Sequence, residues 1–199
     1  MYIENKKRCI TVVSHGTLVI RQNPSRMSKE SKTFPILTTE RLTLRRLSKS
    51  DSEEILQLRS NPEINKYLDR KPSKTLEDAL NFIKKIAENE SDDFFYWAIT
   101  ETGKPKLIGT ICLFEFLSDP KKCEIGYELL TEYQGQGIMV EAAKKIVEYA
   151  SETLGLKMID AITHKENQSS TGLLLKLGFK ELKNSTEENP NLTLFRLTK

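Results

Sequence analysis

The segment Tyr133-Gln134-Gly135-Gln136-Gly137-Ile138-Met139-Val140-Glu141-Ala142 joins two closely spaced glycines to the start of an amphipathic helix. Glycine lets a backbone approach a ligand with no Cβ in the way. The first turn of a helix adds unpaired N–H groups and the positive end of its dipole. Together they predict an anion site, with a pyrophosphate as its natural guest. The spacing argues against two common nucleotide loops. A Rossmann fingerprint would carry a third glycine where Val140 stands, and a Walker A loop would continue from Gly137 with Lys and then Ser or Thr, where Ile138 and Met139 stand. Taken alone, the segment reads better as a tight strand-to-helix turn.

Its flanks add three more motifs in order. Upstream, Cys123-Glu124-Ile125-Gly126-Tyr127-Glu128-Leu129-Leu130 reads as a strand. Downstream come Asn167-Gln168-Ser169-Ser170 and then Leu177-Gly178-Phe179. On these motifs the chain resembles the GNAT superfamily of acetyl-CoA-dependent N-acetyltransferases, over roughly residues 37–199. The family's Q/R-x-x-G-x-G/A loop is matched at Gln134 and Gly137 and departs at Met139. The set looks most like the RimJ/RimL-like branch, which acetylates ribosomal-protein N-termini.

The resemblance implies an α+β fold of mixed sheet, mostly antiparallel and twisted, flanked by helices in the order β-α-α-β-β-β-α-β-α-β-β. It implies that Gln134, Gly135, Gln136, Gly137, Ile138 and Met139 hold the acetyl-CoA pyrophosphate through backbone N–H groups. Glu128, Leu129 and Leu130, on a strand that splays from its neighbour, lend main-chain groups to the pantetheine arm and the thioester. Asn167 is similar to the asparagine that contacts the cofactor near its reactive end, and Ser170 to a residue that protonates the departing thiolate. Their plain roles are a helix cap and a first-turn residue. The tyrosine acid of many members falls at Leu174 here, so Ser170 or a water must substitute. Glu124 is the first choice for general base, Glu128 shares its face four residues along, and Glu115 is the reserve. Gly126 marks either a bulge or a site of close packing.

Base strength bears on the acceptor. An α-amine with a pKa of about 7.7 to 8.0 costs roughly 1 kcal/mol to deprotonate near pH 7, whereas a lysine at about 10.4 costs roughly 4 to 5 kcal/mol. A strand glutamate without a tyrosine suits an α-amine, or a polyamine or aminoglycoside amine of lowered pKa; the resemblance to the RimJ/RimL-like branch implies the α-amine of a protein N-terminus, acetylated by direct transfer. A small-molecule amine of polyamine or aminoglycoside type is the alternative. A catalytically silent acetyl-CoA-binding module is a third reading, favoured by Leu174 and opposed by Ser170 and the strand glutamates.

The chain of 199 residues is 38% hydrophobic, enough for one buried core. Cys9, Cys112 and Cys123 form no C-x-x-C pair and read as free thiols of a reducing, cytoplasmic compartment; no metal site is expected. His15 and His164 lack partner spacing for a metal or a triad. No apolar run approaches 18 residues, so no membrane contact is expected. Residues 1–36 carry seven basic against two acidic side chains, leaving residues 37–199 at a net −2 of the chain's +3. The basic stretch reads as a flexible arm, or as an extension upstream of a natural start at Met27, and the interruption at Ser14, His15 and Gly16 argues against a signal peptide. No specific nucleic-acid partner is expected, and a homodimer is left open.

The elements that must position these residues follow from periodicity. Residues 39–47 alternate as a first strand, and Ser50 with Glu53 signals a capping box ahead of a short helix that ends before Pro62. Residues 75–89 stripe a second helix with Leu76, Ala79, Leu80, Ile83, Ile86 and Ala87. Residues 94–100, 106–116 and 123–130 form an antiparallel meander separated by turn-forming clusters. Residues 139–154 form the helix behind the glycine loop, ending at Gly155, with Glu141–Lys145 and Lys144–Glu148 as pairs on its wet side. Residues 158–163 are a buried strand, 168–177 a short helix, and 179–182 with 192–197 close the sheet.

Overall fold

In Leu42–Arg46 (β2) the leucines at 42 and 44 are buried while Thr43 and Arg45, which alternate with them, are only half-buried, the two-residue alternation of a strand with one face on the core. The computed structural model describes residues 34–91, 93–182 and 189–199. The basic segment 1–33, with Cys9 and His15, lies outside them. Before β2 comes a two-residue strand, Leu37–Thr38 (β1), so the first strand is split by a turn at Glu40. Packing starts earlier than residue 37. Phe34 is buried against Trp97, and the Trp97 indole N–H donates to the Pro35 carbonyl at 2.8 Å.

Ser52–Ser60 (α1), Pro62–Asn65 (α2) and Leu76–Glu88 (α3) follow. The capping box ahead of α1 is Ser48 with Asp51, closing a single 3₁₀ turn, and not Ser50 with Glu53. Asp51 wins because Arg45 forks onto it at 2.8 and 2.6 Å, which fixes the carboxylate where the Ser48 N–H can reach it. In α3 the buried face is Ala79, Phe82, Ile83 and Ile86, while Leu76 and Leu80 are 44% and 36% exposed. The stripe is rotated from the expected one because Phe82 packs edge-on against Tyr96 and lies under the Arg59 guanidinium.

Phe95–Glu101 (β3), Leu107–Leu117 (β4) and Lys122–Leu129 (β5) form the expected meander. Ile138–Glu148 (α4) crosses over to Met158–His164 (β6), which pairs with β5 in parallel, as a helical connection requires. Gln168–Lys176 (α5), Lys180–Leu182 (β7) and Leu192–Thr198 (β8) complete an eight-stranded sheet of order β1-β2-β3-β4-β5-β6-β8-β7. All its pairings except β5–β6 are antiparallel. The α4 helix passes into a π turn at Tyr149–Thr153 before Gly155. Glu141 does not pair along its own helix. Thr39 and Arg41 capture it, and Lys145 pairs with Glu148 instead.

Two cores result. On one face Ile55, Leu58, Phe82 and Ile83 of α1 and α3 cover Tyr96, Ala98 and Cys112. On the other, Ala142, Ala143 and Ile146 of α4 and Leu174 of α5 cover Trp97, Ile111, Cys123 and Ile125. Cys112 and Cys123 are buried and in no disulfide, and burial pushes the Cys123 thiol up. No helix among the described residues is long and apolar enough to cross a membrane.

Candidate active site

The two central strands part in the middle of the sheet. β5 and β6 pair only at Lys122↔Met158, Cys123↔Ile159 and Glu124↔Asp160. An ion cluster clamps that last pair. Asp160, 2% exposed, accepts from Arg196 Nε and Nη2 at 2.6 and 2.8 Å and from Lys122 Nζ at 2.8 Å, which ties β5, β6 and β8 together at the fork. Burial alone would raise the Asp160 carboxyl, but the hydrogen bonds from Arg196 and Lys122 outweigh it and hold it below the ordinary carboxylate value.

Beyond the fork, β5 has one edge without a strand partner. The Leu130 N–H donates to the Ile108 carbonyl at 3.0 Å, and Glu128 pairs with Thr110. Strand alternation then turns the N–H groups of Tyr127 and Leu129 to the opposite edge, into the gap. Of the three strand residues expected to lend main-chain groups, Leu129 faces the gap, whereas the backbones of Glu128 and Leu130 are turned to β4. Gly126 carries no bulge: it pairs regularly with Cys112. The irregularity lies on β4 between Phe114 and Leu117, where Glu115 adopts φ 52. Close packing falls at Gly109, where an added Cβ would sit 2.5 Å from the Glu128 carbonyl oxygen.

The glycine loop opens α4 beside this gap. Gly135 and Gly137 have φ +74 and +76, the left-handed region that an L side chain enters only with strain. Gln134 turns its amide N–H back to the Leu129 carbonyl at 2.9 Å, and Gln136 donates to the Glu132 carbonyl at 2.7 Å. Ile138 and Met139 bury their side chains in the core. The loop's side chains are thus spent on its shape, and the N–H groups of residues 135–140 have no acceptor among the described residues. These fit a pyrophosphate. Arg41, which no spacing in the sequence singles out, lies at the rim, with Nη2 3.7 Å from the Cβ direction of Gly137 and Nε 2.7 Å from Glu141.

Glu124 and Glu128 lie on the same face of β5, the one toward α1 and α3, with Glu124 half-buried. They do not share a wet cleft. Glu128 is buried in the fork of Arg70, whose Nη1 and Nη2 reach it at 2.8 and 2.5 Å. Arg70 also donates to Asn65 Oδ1 at 2.6 Å. From the same α2–α3 segment Tyr67 stacks on His164 at 5.2 Å, so the segment reaches from β5 to the end of β6 over the face that carries Glu124.

On the opposite face Asn167 caps α5, its Oδ1 accepting the Ser170 N–H at 3.1 Å. Ser170 is buried with its Oγ 2.9 Å from the Tyr127 hydroxyl. Burial pushes the Tyr127 hydroxyl up to about 12, against a smaller opposing effect of the Ser170 hydrogen bond. Leu174 is fully buried core. No group of three His, Cys, Asp or Glu side chains that could hold a metal occurs among the described residues.

A domain model described as an acetyltransferase (GNAT) domain matches residues 41–180. An uncharacterized N-acetyltransferase of Bacillus subtilis, YoaA, is 34% identical over 74% of this chain and 84% of its own length. A spermidine N(1)-acetyltransferase of Escherichia coli is 27% identical over 68% of this chain and 71% of its own. Among solved structures, RimL, a ribosomal alpha-N-protein acetyltransferase in complex with coenzyme A, shares the fold with a TM-score of 0.72 at 16% identity, covering 82% of this chain and 98% of that one. Splayed strands, a glycine loop opening a helix and a matching domain lead to one conclusion: this chain belongs to the GNAT acetyltransferase family and is an N-acetyltransferase with acetyl-CoA as its donor.

Proposed function

We propose that the acceptor is the α-amine of a protein N-terminus, acetylated by direct transfer, as in the RimJ/RimL-like branch. The observation that carries this reading is the Arg70–Glu128 pair. Arg70 neutralises Glu128, the second carboxylate on the acceptor face, and Glu124 is the carboxylate we assign to the incoming amine. A monocation needs one such group. A polyamine, with several charges, would need more.

Acetyl-CoA, when bound, supplies an acyl group activated as a thioester. The loop amides of residues 135–140 would hold its pyrophosphate, and Asn167 would contact it near its reactive end. Glu124 accepts the proton of the ammonium group, so that the neutral nitrogen can attack the carbonyl carbon. The Leu129 N–H, turned into the gap, donates to the carbonyl oxygen as negative charge builds there. Ser170 gives its proton to the departing sulfur.

The test is a comparison of kcat/KM for short peptides with a free N-terminus, the same peptides with a blocked N-terminus and an internal lysine, spermidine, and an aminoglycoside. The reading expects the free N-terminus to exceed every other acceptor. A higher kcat/KM for spermidine or the aminoglycoside would replace it with the small-molecule reading, and no transfer to any amine, with acetyl-CoA still bound, would favour the silent module.

A further inference from the structure

The position at which many family members carry a tyrosine acid is Leu174, which is core, yet a tyrosine hydroxyl does meet Ser170, and it comes from the sheet. We propose that Tyr127 is a positioning residue for thiolate protonation: its hydroxyl donates to Ser170 Oγ and so directs the Ser170 proton into the gap between β5 and β6. The inference rests on the reading of Ser170 as the acid.

Two hydroxyl groups, Tyr127 and Ser170, share one hydrogen bond of 2.9 Å, and Ser170 Oγ makes no second bond among the described residues. One of the two protons is therefore unspent. A phenol is a stronger donor than an alcohol, so the bond runs from Tyr127 to Ser170 and the unspent proton belongs to Ser170. Burial pushes the Tyr127 hydroxyl up, so it keeps a proton to donate. Donation into Ser170 Oγ also polarises the serine O–H and makes it a better donor in turn.

Ser170 is held on its other side as well. Asn167 caps its backbone N–H, which fixes the first turn of α5 relative to the end of β6. Tyr127 extends from the strand whose Leu129 N–H faces the gap, two residues along. The strand β5, which borders the gap, and the helix α5, which follows β6, thus meet through these hydroxyls, and a rotor that could point anywhere is left with few directions. In the transfer step the carbon–sulfur bond breaks, its electron pair goes to sulfur, and the Ser170 proton follows. Solvent reprotonates the serine. Tyr127 keeps its own proton throughout.

The experiment is a double-mutant cycle of Tyr127→Phe and Ser170→Ala, read as kcat, acetyl-CoA affinity and thermal melting on one verified acceptor. Tyr127→Phe keeps the ring and removes the hydroxyl. The expected result is a fall in kcat of about tenfold, the worth of one well-placed hydrogen bond, with acetyl-CoA affinity unchanged. Ser170→Ala falls further, and the double variant is no slower than Ser170→Ala alone, because Tyr127 acts only through Ser170. A purely structural role would lower the melting temperature without this dependence on Ser170. Normal kcat in Tyr127→Phe beside a slow Ser170→Ala overturns the inference and spares the acid reading. Normal kcat in Ser170→Ala removes both. Effects that multiply in the double variant show that Tyr127 acts independently and also overturn the inference.

Discussion

Arg70 and Glu128, 58 residues apart, form a bidentate pair at 2.8 and 2.5 Å with both side chains almost fully buried. The pair joins the segment between α2 and α3 to the strand that borders the gap. Removing one partner leaves a buried charge with no counter-charge, at a cost of about 3 to 5 kcal/mol. Arg70→Met is therefore expected to lower the urea midpoint sharply. Adding Glu128→Leu to it should restore much of the loss, because two apolar groups replace two charges. A double variant as unstable as the sum of the single ones would show that the pair is not a unit.

The Asp160 cluster predicts an acid-sensitive fork. Arg196 and Lys122 depress the folded-state pKa of Asp160 below its unfolded value, so its contribution is fully present above the unfolded pKa of about 3.9 and is lost as pH falls through the folded one. Denaturant stability measured from pH 6 to pH 2 should decline at the acid end. In Asp160→Asn the part of that decline due to this group should vanish, and stability at neutral pH should drop by about 3 kcal/mol because two cations lose their partner. Parallel pH curves for the two proteins would contradict this assignment.

Much of this architecture is legible in the residues themselves. Alternation marks β2, turn chemistry separates β3, β4 and β5, and glycines at 135, 137, 155 and 178 mark helix ends and loops by conformations that other residues avoid. What eludes the sequence is pairing at long range. Ser48–Asp51 and Ser50–Glu53 are equivalent as patterns, and only Arg45, placed by the register of β2, decides between them. Glu141 looks like a helix-surface partner for Lys145 until the turn after β1 brings Arg41 to it. Glu128 looks solvated until Arg70 arrives from the α2–α3 segment. The Tyr127–Ser170 contact depends on how α5 docks, which no local pattern encodes.

The glycine loop gives a binding prediction. Gly137 caps α4 at φ +76, so any side chain there is strained, and a carboxylate would stand where the helix N-terminus should receive a pyrophosphate. Gly137→Glu should fold and lose calorimetric binding of coenzyme A. Unchanged affinity in the folded variant would remove the loop from the cofactor site.

In the proposed mechanism Glu124 and Ser170 divide the proton transfers between opposite faces of the sheet. Loss of a general base or acid typically costs ~100- to 10,000-fold in rate. Glu124→Gln should lower turnover with little change in acetyl-CoA affinity, and a rise in pH should partly restore it as the amine deprotonates unaided. Ser170→Ala should show no such rescue. Near-normal turnover of Glu124→Gln at neutral pH would pass the role of base to Glu115 or to water.

The choice of an α-amine as acceptor is tested most directly by one peptide that carries both a free N-terminus and an internal lysine. It is incubated with the protein and acetyl-CoA at neutral pH, and fragment-ion mass spectrometry locates the acetyl group. Acetylation is expected at the N-terminal nitrogen with the lysine unmodified, and acetyl found on the lysine side chain instead would overturn the choice of an α-amine.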